Sequence, residues 1–275
     1  MKYINSKIDN FKFTIITSTY NCGNDILVTA ESIRNQNRND IQWIVVDGSS
    51  STENKILLEE CKDLFSVFIS EKDTGIYDAW NKGCDFIKGS WVIFLGAGDM
   101  FYSANTLNLI EIEIDKLQNQ TKLIYGKLEL ISETGKQLKI IGENWDKMRN
   151  KWNNGRMKLP VHPEVFHHKS LFEDLRFNTE YTIVGDSDFL IKAIAKSDPI
   201  FVDVIVTKML AGGTSQNPKN REKIINEIKL LNKNNNMVVP TKIWYLFKLR
   251  LLFKKILGKT LGYKNYNVIR ESFKI

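Results

Sequence analysis

The chain has 275 residues, of which 43% are hydrophobic and 26% charged, an ordinary globular composition that excludes a disordered, collagenous or disulfide-stabilised miniature protein. Its net charge of +7 is concentrated in residues 241–275, which carry nine basic residues and one acidic residue. The first 240 residues therefore have a net charge of −1, which argues against a broad nucleic-acid-binding surface.

Three cysteines, Cys22, Cys61 and Cys84, lie far apart, and none forms a C-x-x-C pair. This spacing excludes a zinc knuckle or a redox pair and suits a reducing cytosol. The sequence has no apolar run followed by a small-residue cleavage site near its start. No stretch approaches the roughly 18 uncharged apolar residues of a spanning helix. We therefore expect a chain that is neither secreted nor integral to a membrane.

The first hundred residues alternate apolar runs with amphipathic stretches, which predicts consecutive strand–helix units. The predicted strands cover residues 11–18, 41–47, 64–70 and 91–95. The predicted helices cover residues 25–36, 52–62 and 76–88. Such a series indicates an α/β fold with a largely parallel sheet and right-handed crossovers.

Later elements follow a different pattern. Residues 123–131 and 136–143 predict two antiparallel strands around a turn at 133–135, so that a second functional region begins near 123. A helix is predicted from Asp186 to about 196, a strand over 200–206 and a polar helix over 220–232. His167 and His168 read as ordinary surface or strand residues.

Polar residues follow each of the first four predicted strands. Acidic side chains recur among them at Asp47, Asp73, Asp78 and Asp99, with hydroxyls and glycines between. In an open parallel sheet the ligand lies at the carboxyl ends of the strands. Carboxylates that converge there repel each other, so they require a cation, a base hydrogen bond or a sugar hydroxyl as partner. No G-x-G-x-x-G and no G-x-x-x-x-G-K-S/T follows the first strand, which disfavours a dinucleotide oxidoreductase or a P-loop NTPase.

Six motifs in order resemble one known family, the inverting nucleotide-sugar glycosyltransferases of family 2. They are TSTYN (17–21), VVDGSS (45–50), SEKDTGIYDAWNKG (70–83), WVIFLGAGDMF (91–101), VGDSDFLIKA (184–193) and AGGTS (211–215). The resemblance spans about 14–215 and is greatest to the bacterial branch that builds O-antigen, capsule or colanic-acid units. It implies the GT-A fold for residues 1–216, a mostly parallel central sheet flanked by helices. Residues 11–100 would then bind the nucleotide sugar, 101–216 would form the acceptor half, and 217–275 a helical extension.

The resemblance assigns donor contacts to the strand ends. Thr19 and Tyr20 match positions that border the uracil of a UDP-sugar, and Asp47 matches the carboxylate that accepts a hydrogen bond from the base. The remaining donor positions it implies are Ser49, Asp73, Gly75, Asn81, Lys82 and Gly98. Ordinary alternatives stay open, because Asp-Gly-Ser-Ser is also a good turn and Asp78 also suits the first turn of a helix.

Asp99 matches the last acidic position of the family's metal motif, which implies a divalent cation, Mn²⁺ or Mg²⁺, on the diphosphate. Gly98 stands where many relatives have a second acid, and Gly96 where asparagine is usual. Asp99 would then be the single direct carboxylate ligand from the protein.

Asp186 matches the family's general base, which takes the proton of the acceptor hydroxyl as that oxygen attacks the anomeric carbon. A helix-capping role is the alternative, and Asp188 is a second candidate for the base. His162 matches a position near the diphosphate or the acceptor in the family's site. The alternative is a purely structural role. Gly213 and Thr214 belong to a segment that is either a lid or a turn.

The basic segment 241–259 predicts an amphipathic helix. Tyr245, Leu249 and Phe253 share its apolar face with Leu246, Leu252, Ile256 and Leu257, whereas Lys248, Arg250, Lys254 and Lys255 fall outside it. Such a helix suits an anionic membrane surface, and docking on the protein's own core is the alternative. Membrane proximity fits an acceptor carried on a polyprenyl diphosphate and a peripheral place at the cytoplasmic face of the membrane.

The sequence therefore predicts a glycosyltransferase that moves a sugar from a nucleotide sugar to a lipid-linked or oligosaccharide acceptor in surface polysaccharide synthesis. Two other functions remain: a sugar nucleotidyltransferase, whose Gly-rich basic signature is missing, and a non-catalytic subunit that binds nucleotide sugar or glycan.

Overall fold

A mixed β-sheet of ten strands, with helices against it, organises the chain. The computed structural model describes residues 2–4, 10–117, 120–153, 155–213 and 217–261. Within these ranges no helix is both long enough and apolar enough to cross a membrane.

Two short strands, Trp152–Asn153 and Arg156–Met157, lie outside this sheet and pair with each other as a separate hairpin. In chain order the strands are β1 (Lys2–Ile4), β2 (Phe13–Thr19), β3 (Ile41–Asp47), β4 (Val67–Ser70), β5 (Trp91–Phe94), β6 (Met100–Phe101), β7 (Leu123–Ile131), β8 (Gln137–Ile141), β9 (Trp152–Asn153), β10 (Arg156–Met157), β11 (Val165–His168) and β12 (Ile200–Leu210).

The α-helices are α1 (Asp25–Arg34), α2 (Thr52–Glu59), α3 (Ile76–Cys84), α4 (Thr106–Ile114), α5 (Trp145–Met148), α6 (Leu171–Asp174), α7 (Gly185–Ile194), α8 (Arg221–Asn234) and α9 (Thr241–Leu261). Short 3-10 turns cover Lys62–Leu64, His162–Glu164 and Pro218–Asn220.

The sheet has a parallel half and a mixed half. Its order is β1-β4-β3-β2-β5-β11-β7-β12-β6, and β8 pairs with β7. The four strands β4, β3, β2 and β5 are mutually parallel, as the alternation of strands and helices predicts. Beyond β5 the strand β11 is antiparallel to both its neighbours, whereas β12 is parallel to β7.

The parallel strands are buried on both faces. Phe13, Ile15, Trp43 and Val45 are fully buried in the core on one side, and helix α3 crosses the strands β2 and β3 on the other. A Cβ on Gly83 of α3 would lie 2.9 Å from the Ile16 side chain, so this glycine lets the helix approach the sheet closely. The four parallel strands are thus covered on both faces, and the acidic motifs lie at and after their carboxyl ends.

Most predicted elements are present, with different limits. The predicted helix over 52–62 ends at Glu59, that over 76–88 ends at Cys84, and the strand predicted over 200–206 continues to Leu210. The antiparallel pair β7 and β8 is confirmed. Helix α4 was not predicted.

The chain divides into two compact units. The first contains the described residues of Met1–Trp145 and Pro160–Leu210, and the second those of Asp146–Leu159 and Ala211–Ile275. In the second unit the amide of Asn232 on α8 donates to the carbonyl of Gly155 (2.9 Å), which ties the β9–β10 hairpin to that helix.

Candidate functional site

Asp47, the last residue of β3, is fully buried and is the most hydrogen-bonded carboxylate at this edge of the sheet. Both its oxygens lie 3.2 Å from the backbone N–H of Ser50, and the Ser70 hydroxyl donates to it at 2.6 Å. The Thr19 hydroxyl lies 3.3 Å away. Because a carboxylate only accepts hydrogen bonds, these donors fix its position at the ends of β2, β3 and β4.

The loops after β2 and β3 interlock. The backbone N–H of Asn21 donates to the Ser50 hydroxyl (2.8 Å), and the Asn21 side-chain oxygen accepts from the N–H of Ser51 (2.9 Å). The side chain of Asn54 accepts from the N–H of Gly23 (2.7 Å). Asn21 belongs to the TSTYN motif after β2, but no role was expected for it. Asn54 lies inside α2, where no sequence signal marks it as a partner of the β2 loop.

Two predicted donor residues lie exposed at the same loops. The side chain of Tyr20 is 69% exposed directly after β2. Ser49 is also exposed, and its φ of 68° lies in the left-handed region. Both have the accessibility that a ligand contact needs, and their roles stay predictions.

Asp73 lies against the β3 turn. A Cβ on Gly48 would come within 2.6 Å of an Asp73 carboxylate oxygen, so a side chain at this position would displace the acid. The other oxygen accepts from the N–H of Gly75 (3.1 Å), which precedes α3 with φ 138°. Burial raises the pKa of Asp73; the Gly75 N–H and the charge of Lys82 oppose this rise.

The polar groups of α3 are engaged within the protein. The Asn81 amide donates to the carbonyl of Phe177 (2.8 Å) and accepts from its N–H (2.9 Å). Lys82 donates to the carbonyl of Lys72 (3.0 Å) and pairs with Glu71 (2.9 Å). Asp78 accepts from the N–H of Thr74 (3.0 Å), as an acid in the first turn of a helix does.

Asp99 lies in the loop after β5 and is partly exposed. One of its oxygens accepts from the N–H of Gly96 (3.1 Å), and a Cβ on Gly96 would lie 2.9 Å from that oxygen. Gly98 has φ 93°, which favours glycine, and its N–H donates to the Thr29 hydroxyl (2.9 Å). Desolvation of the carboxyl group raises the pKa of Asp99 to about 7. The N–H of Gly96 opposes this rise, and the negative charge of Asp25 adds to it.

Asp25, in the first turn of α1, is a neighbour of this loop that the sequence analysis missed. Its carboxylate oxygen would lie 3.6 Å from a Cβ on Gly98, and its backbone oxygen accepts from the N–H of Gly98 (3.1 Å). The space that Gly98 leaves is thus bordered by a second acid. Over the described ranges no group of three or more His, Cys, Asp and Glu could hold a metal. Two carboxylates suit a Mg²⁺ or Mn²⁺ ion that takes its other oxygens from a diphosphate and water.

Asp186 lies one residue inside α7, which begins at Gly185. A Cβ on Gly185 would lie 2.7 Å from the Tyr77 ring, so the absence of a side chain lets the first turn of α7 pack on α3. The residue before the helix is Val184, so Asp186 does not occupy the capping position. It is partly exposed, and one oxygen accepts from the N–H of Ser187 (2.7 Å). Its remaining lone pairs can accept a proton.

Asp188 differs from Asp186 in its surroundings. It is buried, and its carboxylate accepts from the ammonium group of Lys192 one turn later (2.6 Å). An acid that is paired and removed from solvent is the weaker candidate for the base.

His162 belongs to a buried aromatic cluster that it forms with Trp80, Phe94, Phe177 and Phe189 (the His162 cluster). Its ring stacks on Trp80 at 5.0 Å, and Phe94 lies 5.1 Å away. The Phe177 ring contacts both the His162 ring and the ring of Phe189, which lies on α7. Neither ring nitrogen has a hydrogen-bond partner in the described part of the chain. Burial lowers the pKa of His162 to about 3, so the ring is neutral.

Three further predictions concern the neighbouring and later segments. His167 lies in strand β11, but it is fully buried with Nδ1 3.3 Å from the carbonyl of Val92, so the surface alternative is wrong. Gly213 is exposed. Thr214 lies outside the described residues.

A family model and two relatives in sequence agree on the family to which this chain is similar. The sequence model of "Glycosyl transferase family 2" matches residues 14–173, more than half of the chain. A protein of Mycobacterium bovis named "PGL/p-HBAD biosynthesis glycosyltransferase" is 28% identical over 198 residues, covering 69% of this chain and 72% of its own length. A Mycobacterium tuberculosis protein, also named a glycosyltransferase, is 25% identical over 203 residues, covering 70% of this chain and 72% of its own.

Two solved structures share the fold. Staphylococcus aureus TarS 1–349, in complex with UDP-GlcNAc, has a TM-score of 0.61 at 15% identity, covering 90% of this chain and 73% of that one. The mannosyltransferase PcManGT of Pyrobaculum calidifontis, in complex with GDP-Man and Mn²⁺, has a TM-score of 0.59 at 16% identity, covering 89% of this chain and 70% of that one.

Proposed function

The chain belongs to glycosyl transferase family 2 and is a glycosyltransferase; from that premise we propose that it uses a nucleotide diphosphate sugar, a UDP-sugar, and inverts the sugar's configuration on transfer. One observation carries the proposal. Three acids, Asp47, Asp73 and Asp99, lie at or after the ends of three strands of the parallel half, β3, β4 and β5, beside the interlocked loops that follow β2 and β3. TarS and PcManGT, which share the fold, are complexed with nucleotide sugars.

We propose that the base of the donor lies at the ends of β2 and β3. The Asp47 carboxylate is fully buried, so a uracil N–H would replace one of its present donors, such as the Thr19 hydroxyl at 3.3 Å, while the N–H of Ser50 and the hydroxyl of Ser70 keep its position. The exposed ring of Tyr20 supplies a flat apolar surface for the base. Ser49, Asp73 and Gly75 would then border the ribose and diphosphate.

A divalent cation fits the loop after β5. Asp99 and Asp25 would hold it, and the glycines at 96 and 98 leave room beside the two carboxylates. When bound, such an ion neutralises the negative charge that develops on the diphosphate leaving group. That Mn²⁺ accompanies GDP-Man in PcManGT supports this part of the proposal.

Asp186 is the proposed general base. Its carboxylate takes the proton of the acceptor hydroxyl, the hydroxyl oxygen forms a bond to the anomeric carbon, and the bond from that carbon to the diphosphate breaks. The nucleoside diphosphate leaves on the opposite face, so the configuration inverts. The packing of Gly185 on Tyr77 supports the assignment because it ties the start of α7 to the helix that follows the donor loop.

The proposed acceptor is a lipid-linked glycan of a bacterial surface polysaccharide such as O-antigen or capsule, met at the cytoplasmic face of the membrane. The basic segment 241–259 supports a place near an anionic surface.

Calorimetric titration of UDP-, GDP- and dTDP-sugars, with and without Mn²⁺, tests the proposal. We expect binding of a UDP-sugar that depends on Mn²⁺ and that Asp99→Ala abolishes. Transfer or donor hydrolysis by wild type and its loss in Asp186→Asn separate an enzyme from a non-catalytic binding subunit. Absence of any nucleotide binding would refute the donor assignment.

A further inference from the structure

Helix α9 has two apolar faces, and one of them is used inside its own unit. Phe247 is buried, and its ring lies 5.6 Å from the ring of Trp244. A Cβ on Gly155, in the β9–β10 hairpin, would lie 2.8 Å from both rings. Because Gly155 has no side chain, Trp244 and Phe247 can pack α9 against the hairpin. Asn232 of α8 donates a hydrogen bond to the carbonyl of the same glycine. The helix is packed on its unit without using the apolar face that the sequence predicted.

The second face is exposed. Tyr245, Leu246, Leu249, Leu252 and Phe253 are between 55% and 67% exposed. Their spacing of three and four residues places them along one side of the helix over two turns. Single exposed apolar residues are common on proteins, but a contiguous row of five large ones marks an interaction surface.

Charge identifies the partner of this face. The segment Thr241–Leu261 contains six basic residues and no acidic residue. At 3.6 residues per turn, Lys248 and Arg250 fall on opposite sides of the apolar row. Both side chains are exposed. An apolar strip bordered on both sides by cations matches the boundary between anionic headgroups and acyl chains, whereas a second copy of the helix would bring like charges together.

We propose that the exposed face of α9 docks on an anionic lipid bilayer, with the helix lying in the plane of the interface. The apolar row enters the headgroup boundary, and the flanking cations contact lipid phosphates. Trp244 and Phe247 stay packed in the protein, so the second unit remains attached to the docked helix. The inference concerns a surface distinct from the donor site and does not depend on which sugar is transferred.

Vesicle flotation of the full chain tests the inference, with phosphatidylcholine vesicles compared with vesicles that also contain phosphatidylglycerol. We expect binding to the anionic vesicles that high salt weakens. The double variant Leu249→Gln/Phe253→Gln removes two large apolar side chains and is expected to weaken binding about tenfold or more. Lys248→Gln/Arg250→Gln is expected to weaken it to a similar extent on anionic vesicles only.

Matched controls come from exposed apolar residues elsewhere. Ile56 and Ile112 are 59% and 53% exposed, so Ile56→Gln/Ile112→Gln changes the same kind of surface outside α9 and should bind vesicles like wild type. Thermal melting checks that all variants fold, and donor titration checks that the transferase site is intact. Equal binding by all variants, or no binding to either vesicle, overturns the inference. It is also overturned if the Leu249/Phe253 variant instead abolishes self-association of the wild type.

Discussion

The strand-edge loops and the His162 cluster both bury polar groups, but they satisfy them in opposite ways. Asp47 is fully buried and accepts from the N–H of Ser50 and the hydroxyl of Ser70. His162 is almost as deeply buried, yet both its ring nitrogens lack a partner in the described residues, and its neighbours are aromatic rings. The first region positions its groups by hydrogen bonds and the second by packing. Substitutions in the two regions should therefore fail in different ways.

The largest effect is expected at Asp186, in the first turn of α7, the helix whose Phe189 belongs to the His162 cluster. Asp186→Asn keeps the size of the side chain but removes the proton acceptor, so the transfer rate should fall about 10²- to 10⁴-fold. Steady-state transfer measurements report the rate, and calorimetry should show unchanged donor affinity. A loss below about tenfold would assign the base to another residue.

Next comes Phe177→Ala, which removes the ring that joins His162 to Phe189. Deleting a buried phenyl ring costs the transfer free energy and leaves a cavity, so the free energy of unfolding should fall by about 3–5 kcal/mol. Urea denaturation measures it. The exposed Phe253→Ala serves as the control and should change stability by less than about 0.5 kcal/mol. Equal effects would mean that the cluster does not hold α7.

Asp47→Asn probes the hydrogen-bonded region. It replaces a charged acceptor by an amide that presents N–H groups to donors, so the free energy of unfolding should fall by about 1.5–3 kcal/mol. Ser70→Ala removes a single hydroxyl from the same carboxylate and should cost less. If Asp47→Asn melts like wild type, hydrogen bonding does not order this edge.

The last effect is a pH dependence from Glu164, which is buried in the same 3-10 turn as His162. Burial raises its pKa to about 8, opposed by the N–H of Val161. Below about pH 4.5 the folded and unfolded states are both protonated; above it the unfolded state ionises first, so stability declines until the pH passes about 8. A pKa raised from 4.5 to about 8 corresponds to about 3–4 kcal/mol over this range, so we expect the melting temperature of wild type to fall by about ten degrees relative to Glu164→Gln between pH 5 and 8.

Scanning calorimetry of the two proteins across this range gives the difference directly. Because other titrating groups are common to both, parallel curves would show that Glu164 keeps its ordinary pKa when folded.

The parallel half of the fold was predictable because its strands are continuous apolar runs that end in polar motifs. Helix α4 was not: in TLNLIEIEI apolar and acidic residues alternate partly with the period of a strand. Contacts of Leu107 and Ile110 with the core decide for a helix, while Leu109 and Ile112 remain exposed.

A site residue was predictable where one motif shows both that the residue lies at a strand end and that its side chain suits a ligand. Asp47 at the end of β3 is an example. Asp25 was missed because its neighbour Gly98 lies more than seventy residues later, and folding alone brings them together. Packing on the protein and docking on a membrane do not exclude each other for the basic helix. The structure has a separate apolar face for packing, since Trp244 and Phe247 lie off the row that hydrophobic spacing selects.

The pairing of Asn81 with the backbone of Phe177 bears on how this enzyme can be recombined with its relatives. The side-chain amide of Asn81 on α3 forms two hydrogen bonds with the backbone of Phe177, almost a hundred residues later. Gly185, at the start of α7, leaves room for the Tyr77 ring of α3. A crossover between α3 and α7 would mismatch both contacts. Residues 75–84 and 177–189 must therefore be exchanged together, and β7 must be exchanged with β11 and β12, between which it lies in the sheet.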